Sequence, residues 1–321
     1  MVDYDALWRE FPRTLPEFEA AFPNEEACRE YLIRMRWGGV PQCPRCGHDI
    51  VWWLTNGRFE CARCGHQTSV TAGTPLHGTR KPLKVWFRAI WEMLARKNGI
   101  SAKDLQRLMG FGSYRTAWLW LHKLRRCLVT PNRRPLDGKI LLDDGFIGGV
   151  TDRPGRPRAE DKELVIVAVE PGGRARLEYA PGLTKETVRS FVGRNVSVKS
   201  TVTTDGYRSY SAKSLSPRKH DRQIHEKTKK RGNAWLASDP VLGCHLVLSL
   251  LKRWWMGTHH GAISAKYLQA YLDEFEFRFN RRLTNGTGRL VARALQNLVQ
   301  LPHSSEALIM QSVPTPRFTP T

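Results

Sequence analysis

Acid is scarce in this chain. Asp and Glu number 30 against 51 Lys and Arg over 321 residues, which leaves a formal net charge of +21 and a pI near 10.1. Such a field favours a polyanionic partner, nucleic acid above all. Long apolar runs are missing as well. The longest, "LVIVAV" and "VLSLL", fall far short of the roughly 20 residues that a membrane-spanning helix needs. No concentrated basic amphipathic segment points to a membrane surface either. The opening "MVDYDALWRE" has neither a basic start nor an apolar block, so it does not read as a secretory signal. The expectation is a cytoplasmic, nucleoid-associated protein whose seven cysteines stay reduced.

Four of those cysteines form a pattern. In "CPRCGHDIVWWLTNGRFECARCGHQTS", Cys43 and Cys46 make one C-x-x-C, and Cys61 and Cys64 make another. Each pair is followed by Gly, which lets two thiolates converge on one ion. Between them "IVWWL" and "RFECA" read as short strands joined by Asn56-Gly57, a two-residue hairpin signal. Two such pairs framing a hairpin predict a zinc ribbon with four sulfur ligands and structural Zn²⁺ over residues 41–75. The alternative, a redox dithiol, suits a lone C-x-x-C better. His48 and His66 read as turn residues, and Cys28, Cys127 and Cys244 as small core residues.

The flanking segments are helical. "FPNEEACREYLIRMRW" predicts a helix capped at Asn24, with Cys28, Tyr31, Leu32 and Met35 on one face, within an N-terminal helical segment of residues 1–40. After the ribbon, Leu83, Trp86, Phe87, Ile90, Trp91 and Leu94 repeat at helical spacing. "SAKDLQRLM", the turn "GFG" and "SYRTAWLWLHKLRRCL" then give helix, tight turn, helix. This is the arrangement of a helix-turn-helix, placed at residues 76–130. Arg115, Thr116 and Trp120 are expected on its exposed front as DNA-binding residues, with Ala117, Trp118, Leu121 and Leu124 packed inward. An ordinary three-helix bundle is the alternative.

At "TPNRRPLDG" the pattern changes to strands. Strand "KILLDDGFIG", a basic loop "TDRPGRPR", strands "LVIVAVE" and "ARLEYA", helix "TKETVRSFVGRNV", strand "STVTTDGYRSY" and two closing helices follow. The order predicts an α/β fold, an RNase H-like mixed-sheet domain over residues 131–300, with residues 301–321 as a disordered tail. Its first strand poses a problem: an apolar run ends in Asp143 and Asp144. Buried carboxylates must be paired, hydrated or bound to metal, although Asp144-Gly145 alone could be a hairpin turn. Asp205 ends "TVTTDG" in the same manner, and Glu274 lies in a late helix, where Asp273 is its closest competitor. Three hard oxygen ligands brought together would hold Mg²⁺ or Mn²⁺. Two such ions would activate a nucleophile and stabilise the leaving oxygen of a phosphodiester.

The chain resembles bacterial DDE insertion-sequence transposases of the insertion-sequence fifteen-ninety-five family. The pieces that carry the resemblance are "LPEFEAAFPNEEACREYLIRMRWGG" before "CPRCG", the D-x-x-x-I-G-G of Asp143 to Gly149, "TDGYRSY", "HLVLSLLKRWWMGTHHGAIS" and "YLDEFEFRFNRR". The resemblance implies that Asp143, Asp205 and Glu274 are the catalytic and magnesium-binding acids. It makes Arg278, Arg281 and His245 auxiliary candidates. It further implies an enzyme that binds double-stranded DNA at terminal inverted repeats as a homo-oligomer, frees a 3′-hydroxyl and joins it to target DNA. One departure is "DDGFIGG", where such transposases usually read "DETYIGG". A covalent tyrosine mechanism is disfavoured, because no His-x-His lies between apolar residues and "THHG" has the wrong spacing. The alternative function is a zinc-ribbon and helix-turn-helix regulator with an inactive nuclease-like domain.

Overall fold

The computed structural model describes residues 2–131, 133–148, 162–223, 239–260, 264–303 and 305–310. The loop "TDRPGRPR", Gly149 and the final "SVPTPRFTPT" lie outside the described residues. The described chain falls into two compact units, Met1–Pro131 with the residues from Leu283, and Asn132–Arg282.

The first unit opens with α1 (Tyr4–Glu10), α2 (Leu15–Ala21) and α3 (Glu25–Trp37). The Asn24 side chain accepts from the Ala27 N–H and Gly38 closes α3 in the left-handed region, so both predicted ends of this helix hold. The predicted hairpin is β1 (Val51–Trp53) and β2 (Phe59–Cys61), and a third strand, β3 (Gln67–Thr68), pairs with β2. α3 supports the ribbon directly. Arg36 donates to the Val70 and Ala72 carbonyls at 2.7 Å each. Next come α4 (Leu83–Ala95), α5 (Ala102–Met109) and α6 (Tyr114–Arg126). The start of α4 has no cap of its own; Glu25 reaches from α3 to accept from the Leu83 and Lys84 N–H groups at 2.9 and 3.1 Å.

The second unit is a five-stranded sheet covered on both faces. Its elements are β4 (Lys139–Gly148), β5 (Lys162–Val169), β6 (Ala175–Ala180), α7 (Lys185–Asn195), β7 (Thr201–Thr204), α8 (Ala212–Leu215), β8 (Lys219–Arg222), α9 (Leu242–His259) and α10 (Ala265–Phe279). The strand order is β6-β5-β4-β7-β8. β5 is antiparallel to both its neighbours, while β4, β7 and β8 run parallel. This mixed, RNase H-like topology agrees with the expected order, and α8 and β8 are additions to it. Leu141, Ile147, Val165 and Val167 pack with α9 and α10 on one face. Ile140, Leu142, Ile166 and Ala168 pack with α7 on the other. The period-2 alternation of β4 and β5 therefore serves two cores, which is why both strands read as continuous apolar runs.

Two helices return the chain to the first unit, α11 (Thr287–Gln300) and α12 (Glu306–Met310). α11 packs on α4, α3 and α1. Gly288 makes that possible: a Cβ there would sit 1.6 Å from the Pro12 carbonyl oxygen. The domain end expected at residue 300 thus falls at Arg282, and the expected tail contains a helix that packs on α6.

Candidate functional site

β4 passes straight through the two carboxylates that opened the question. Asp143, Asp144 and Gly145 pair with Val167, Ile166 and Val165 of β5, so the Asp-Gly turn does not form and the strand continues to Gly148. What ends here is the other neighbour. The parallel β7 pairs Leu141 with Thr203 and stops at Thr204. Carried two residues on, that register would set Asp205, just past the end of β7, level with Asp143 in the middle of β4. A crevice at such a point is where α/β sheets hold ligands.

Alternation along β4 sends its two acids to opposite faces. Asp143 points toward α9, where its Oδ2 lies 2.9 Å from His245 Nε2. The other ring nitrogen of His245 lies 2.5 Å from Asp239 Oδ2, and Asp239 Oδ1 accepts from the Val241 N–H at 3.0 Å. Asp239 thereby holds the helix start and the imidazole together. The hydrogen bond to Asp143, with help from Asp239, pushes the His245 pKa up to about 9, so the ring is a cation between two carboxylates. Asp144 points the other way and accepts from the Tyr210 hydroxyl at 2.6 Å. Burial raises the Asp144 pKa to about 6 against the effect of that hydrogen bond, and the charges of Asp143 and Asp205 add to the rise. Asp205 Oδ1 accepts from the Tyr207 N–H at 2.9 Å. Three acids that share one electrostatic environment are a poor arrangement without a cation and a good one with it. The hard oxygen donors of Asp143 and Asp205 fit a divalent ion such as Mg²⁺.

Glu274 lies on α10. α10 runs along β6, two strands away from β4. Among the described residues, the four ribbon cysteines are the only group of three or more metal-ligating side chains whose donor atoms all lie within 4.8 Å of one another. The Glu274 side chain is 1% exposed and accepts from Arg278 Nε and Nη2 at 3.1 and 3.0 Å. Arg281 lies over the Phe277 ring at 4.0 Å. The physical reason for the place of α10 is the edge of the sheet. β6 is the outermost strand, and its outward N–H groups need acceptors. Gln269 accepts from Tyr179 N–H, Glu276 from Leu177 N–H and Asn280 from Ala175 N–H, at 3.0, 3.2 and 2.7 Å. Positions 269, 276 and 280 share one helical stripe, so the acid-rich α10 is a clamp on the sheet edge. His245, expected as an auxiliary group, is half exposed and bonded to Asp143. Asp239 and Tyr210 went unread; an Asp-Pro step six residues before a helical His was the available signal for Asp239.

The four cysteines are together. Cys43 to Cys64, Cys46 to Cys61 and Cys46 to Cys64 are 3.6, 3.5 and 3.5 Å apart between sulfurs. Tetrahedral ligation with Zn–S bonds of about 2.3 Å requires sulfur separations of about 3.8 Å, so the set fits one Zn²⁺. Two matching turns build it. Cys43 N–H donates to His48 O and Gly47 N–H to Cys43 O, and Cys61, His66 and Gly65 repeat the same bonds. His48 and His66 are turn residues, as expected.

α5 and α6 form the expected helix pair around Gly110, which caps α5 at φ 63°. Of the three front residues only Arg115 is well exposed, and it pairs with Glu306 of α12 at 2.7 Å. Thr116 spends its hydroxyl and N–H on the Ser113 cap. Trp120 is a correction: it is buried, stacked on Trp86 at 3.4 Å with ring planes 6° apart. Trp118, expected inside, is only half-buried.

A four-cysteine ribbon ahead of a mixed α/β sheet is the build of a DDE transposase. Residues 135–280 match the ISXO2-like transposase domain and residues 23–67 match the transposase zinc-ribbon domain. The two models together span more than half of the chain, which belongs to this transposase family. No curated protein matches it. Among solved structures, a chain of the simian T-cell lymphotropic virus intasome in complex with PP2A regulatory subunit B56 gamma, determined by cryoEM, is similar at 13% identity. The match covers 69% of this chain and 75% of that one, with a TM-score of 0.26. A likeness that slight carries no argument here. Among the described residues no helix is long and apolar enough to cross a membrane.

Proposed function

We propose that this transposase binds the terminal inverted repeats of its own element, hydrolyses a phosphodiester there and transfers the freed 3′-hydroxyl to target DNA. The observation that supports this reading is the register of β4 and β7, which pairs Leu141 with Thr203 two residues before Asp143 and Asp205, beside a histidine bonded to Asp143. Magnesium ions held by these two carboxylates would supply the charge that activates an attacking oxygen and stabilises the departing one. The protein's own part is positional. Asp143 and Asp205 fix the ligand oxygens on rigid strands. Asp239 fixes the imidazole, and the cationic ring offsets the Asp143 charge. Sheet and helices exclude bulk water from the inner side of the site.

In this reading Glu274, Arg278 and Arg281 hold α10 rather than metal. Arg115 at the front of α6 contacts the terminal repeat, and the net charge of +21 supplies salt-sensitive attraction to any duplex. A homo-oligomer on the nucleoid, pairing two element ends, completes the scheme.

The test is a cleavage and joining assay on duplex carrying the terminal repeat. With Mg²⁺ the wild type nicks and joins, and Asp143→Asn or Asp205→Asn binds the end without cutting. Cutting without joining would make the protein a structure-selective nuclease. Undiminished cutting by both variants would remove the site.

A further inference from the structure

Two glycines stand where α9 crosses β4. Asp143 and Gly145 point to the same face of the strand, toward the helix. A Cβ at Gly145 would come within 2.7 Å of Leu248 Cδ1, 3.4 Å of its Cδ2 and 3.5 Å of its Cγ. Leu248 is 4% exposed and belongs to the same core cluster as Val165, Val167 and Leu251, where close packing resists a displaced methyl. On the helix, a Cβ at Gly243 would come within 2.9 Å of Leu141 Cδ1 and 3.7 Å of Val169 Cγ1. Each element thus offers a glycine to the other's leucine. The contacts bracket the reacting pair: Leu141 and Gly145 flank Asp143 on the strand, and Gly243 and Leu248 flank His245 on the helix. Between them lies the 2.9 Å approach of His245 Nε2 to Asp143 Oδ2.

We propose that Gly145 is a positioning residue, matched to Leu248, and that the reciprocal glycine–leucine contacts set the distance between α9 and β4 and hence the placement of His245 on Asp143. The inference rests on the reading of Asp143, Asp205 and His245 as the reacting centre. A methyl at position 145 has to be accommodated by moving Leu248 or the helix that carries it. Such centres tolerate displacements of only about 0.5 Å. The Gly at 145 is therefore a fitted residue of this chain, complementary to its own leucine, and not a sign of a decaying site.

The experiment compares the wild type, Gly145→Ala, Leu248→Ala and the double variant as full-length proteins. It is run well below the unfolding temperature of each, with circular dichroism to confirm folding. Mn²⁺ affinity is read by electron paramagnetic resonance, and single-turnover cleavage and end binding are read on terminal-repeat DNA. Gly145→Ala is expected to weaken Mn²⁺ binding by roughly 10-fold or more, the scale of lost support around metal ligands, and to slow cleavage in step while end binding holds. The double variant is expected to recover most of both losses, which a general loss of stability would not do. If Gly145→Ala does not fold, Gly243→Ala with and without Leu141→Ala tests the reciprocal contact in the same way. A folded Gly145→Ala with wild-type Mn²⁺ affinity, or a folded double variant that recovers nothing, overturns the positioning role alone. A wild type that binds no Mn²⁺ removes the site reading and this proposal with it.

Discussion

Glu276→Ala removes the acceptor around which the outer edge of the sheet is organised. Glu276 Oε1 accepts from Arg133 Nη1 at 2.5 Å and Arg176 Nη1 at 3.1 Å, and Oε2 accepts from the Leu177 N–H at 3.2 Å. The side chains of Glu276 and Arg176 are 7% and 6% exposed. Burial already lowers the Arg176 pKa to about 10, against the opposing pull of Glu276. Removing one partner of a buried ion pair costs about 3–5 kcal/mol. Arg176 keeps bonds to the Ala175 and Arg134 carbonyls, so the lower end applies, about 3 kcal/mol. For a unit of about 150 residues each kcal/mol moves Tm by about 2–4 °C, which gives a fall of roughly 6–12 °C. Differential scanning calorimetry of the full chain reads it. Glu276→Met with Arg176→Met should restore part of the loss, because the most deeply buried charge no longer lacks its counterpart, while Arg133 keeps its bond to Asn195. A fall under about 2 °C in Glu276→Ala would refute the clamp, since a surface pair would give that much.

Elemental analysis should find about one Zn²⁺ per chain, and Cys61→Ser should lose it and loosen the ribbon, because structural zinc supplies folding free energy. Trp120→Ala should destabilise the first unit by about 3–5 kcal/mol in denaturant titration, as expected for deleting a buried aromatic; a loss of DNA preference at unchanged stability would instead return Trp120 to the DNA face. Arg115→Ala should weaken binding to terminal-repeat duplex and reduce the slope of log affinity against log salt by about one. An unchanged slope would mean that Arg115 makes no phosphate contact.

The ribbon was legible because its information is local: two C-x-x-C turns and an Asn-Gly hairpin need no distant partner. The sheet was legible where strands are buried on both faces, in "KILL" and "LVIVAV". β8 was not, since its "KHDR" has no apolar pattern and forms only by parallel pairing with β7. The misreading of Trp118 and Trp120 was avoidable. Positions 117, 120, 121 and 124 follow the helical i, i+3, i+4, i+7 stripe that the structure buries, and 118 breaks it. The role of α10 was harder to read. An acid-rich helix looks like a source of ligands, yet Glu276 and Asn280 answer the backbone of an edge strand that sequence cannot place beside them. His245 depended on α9 crossing β4, a tertiary fact announced only by glycines at 145 and 243.

The central claim is that the reacting centre lies at Asp143 on β4 and Asp205 just after β7, and not on α10. Iron-mediated cleavage of the polypeptide tests it on the unaltered protein: Fe²⁺ replaces Mg²⁺, ascorbate and peroxide generate radicals at the bound ion, and mass spectrometry locates the cuts. The account predicts cuts close to residues 143, 205 and 245, suppressed by excess Mg²⁺, with none at 274. Mg²⁺-suppressed cuts centred on residue 274 would contradict it.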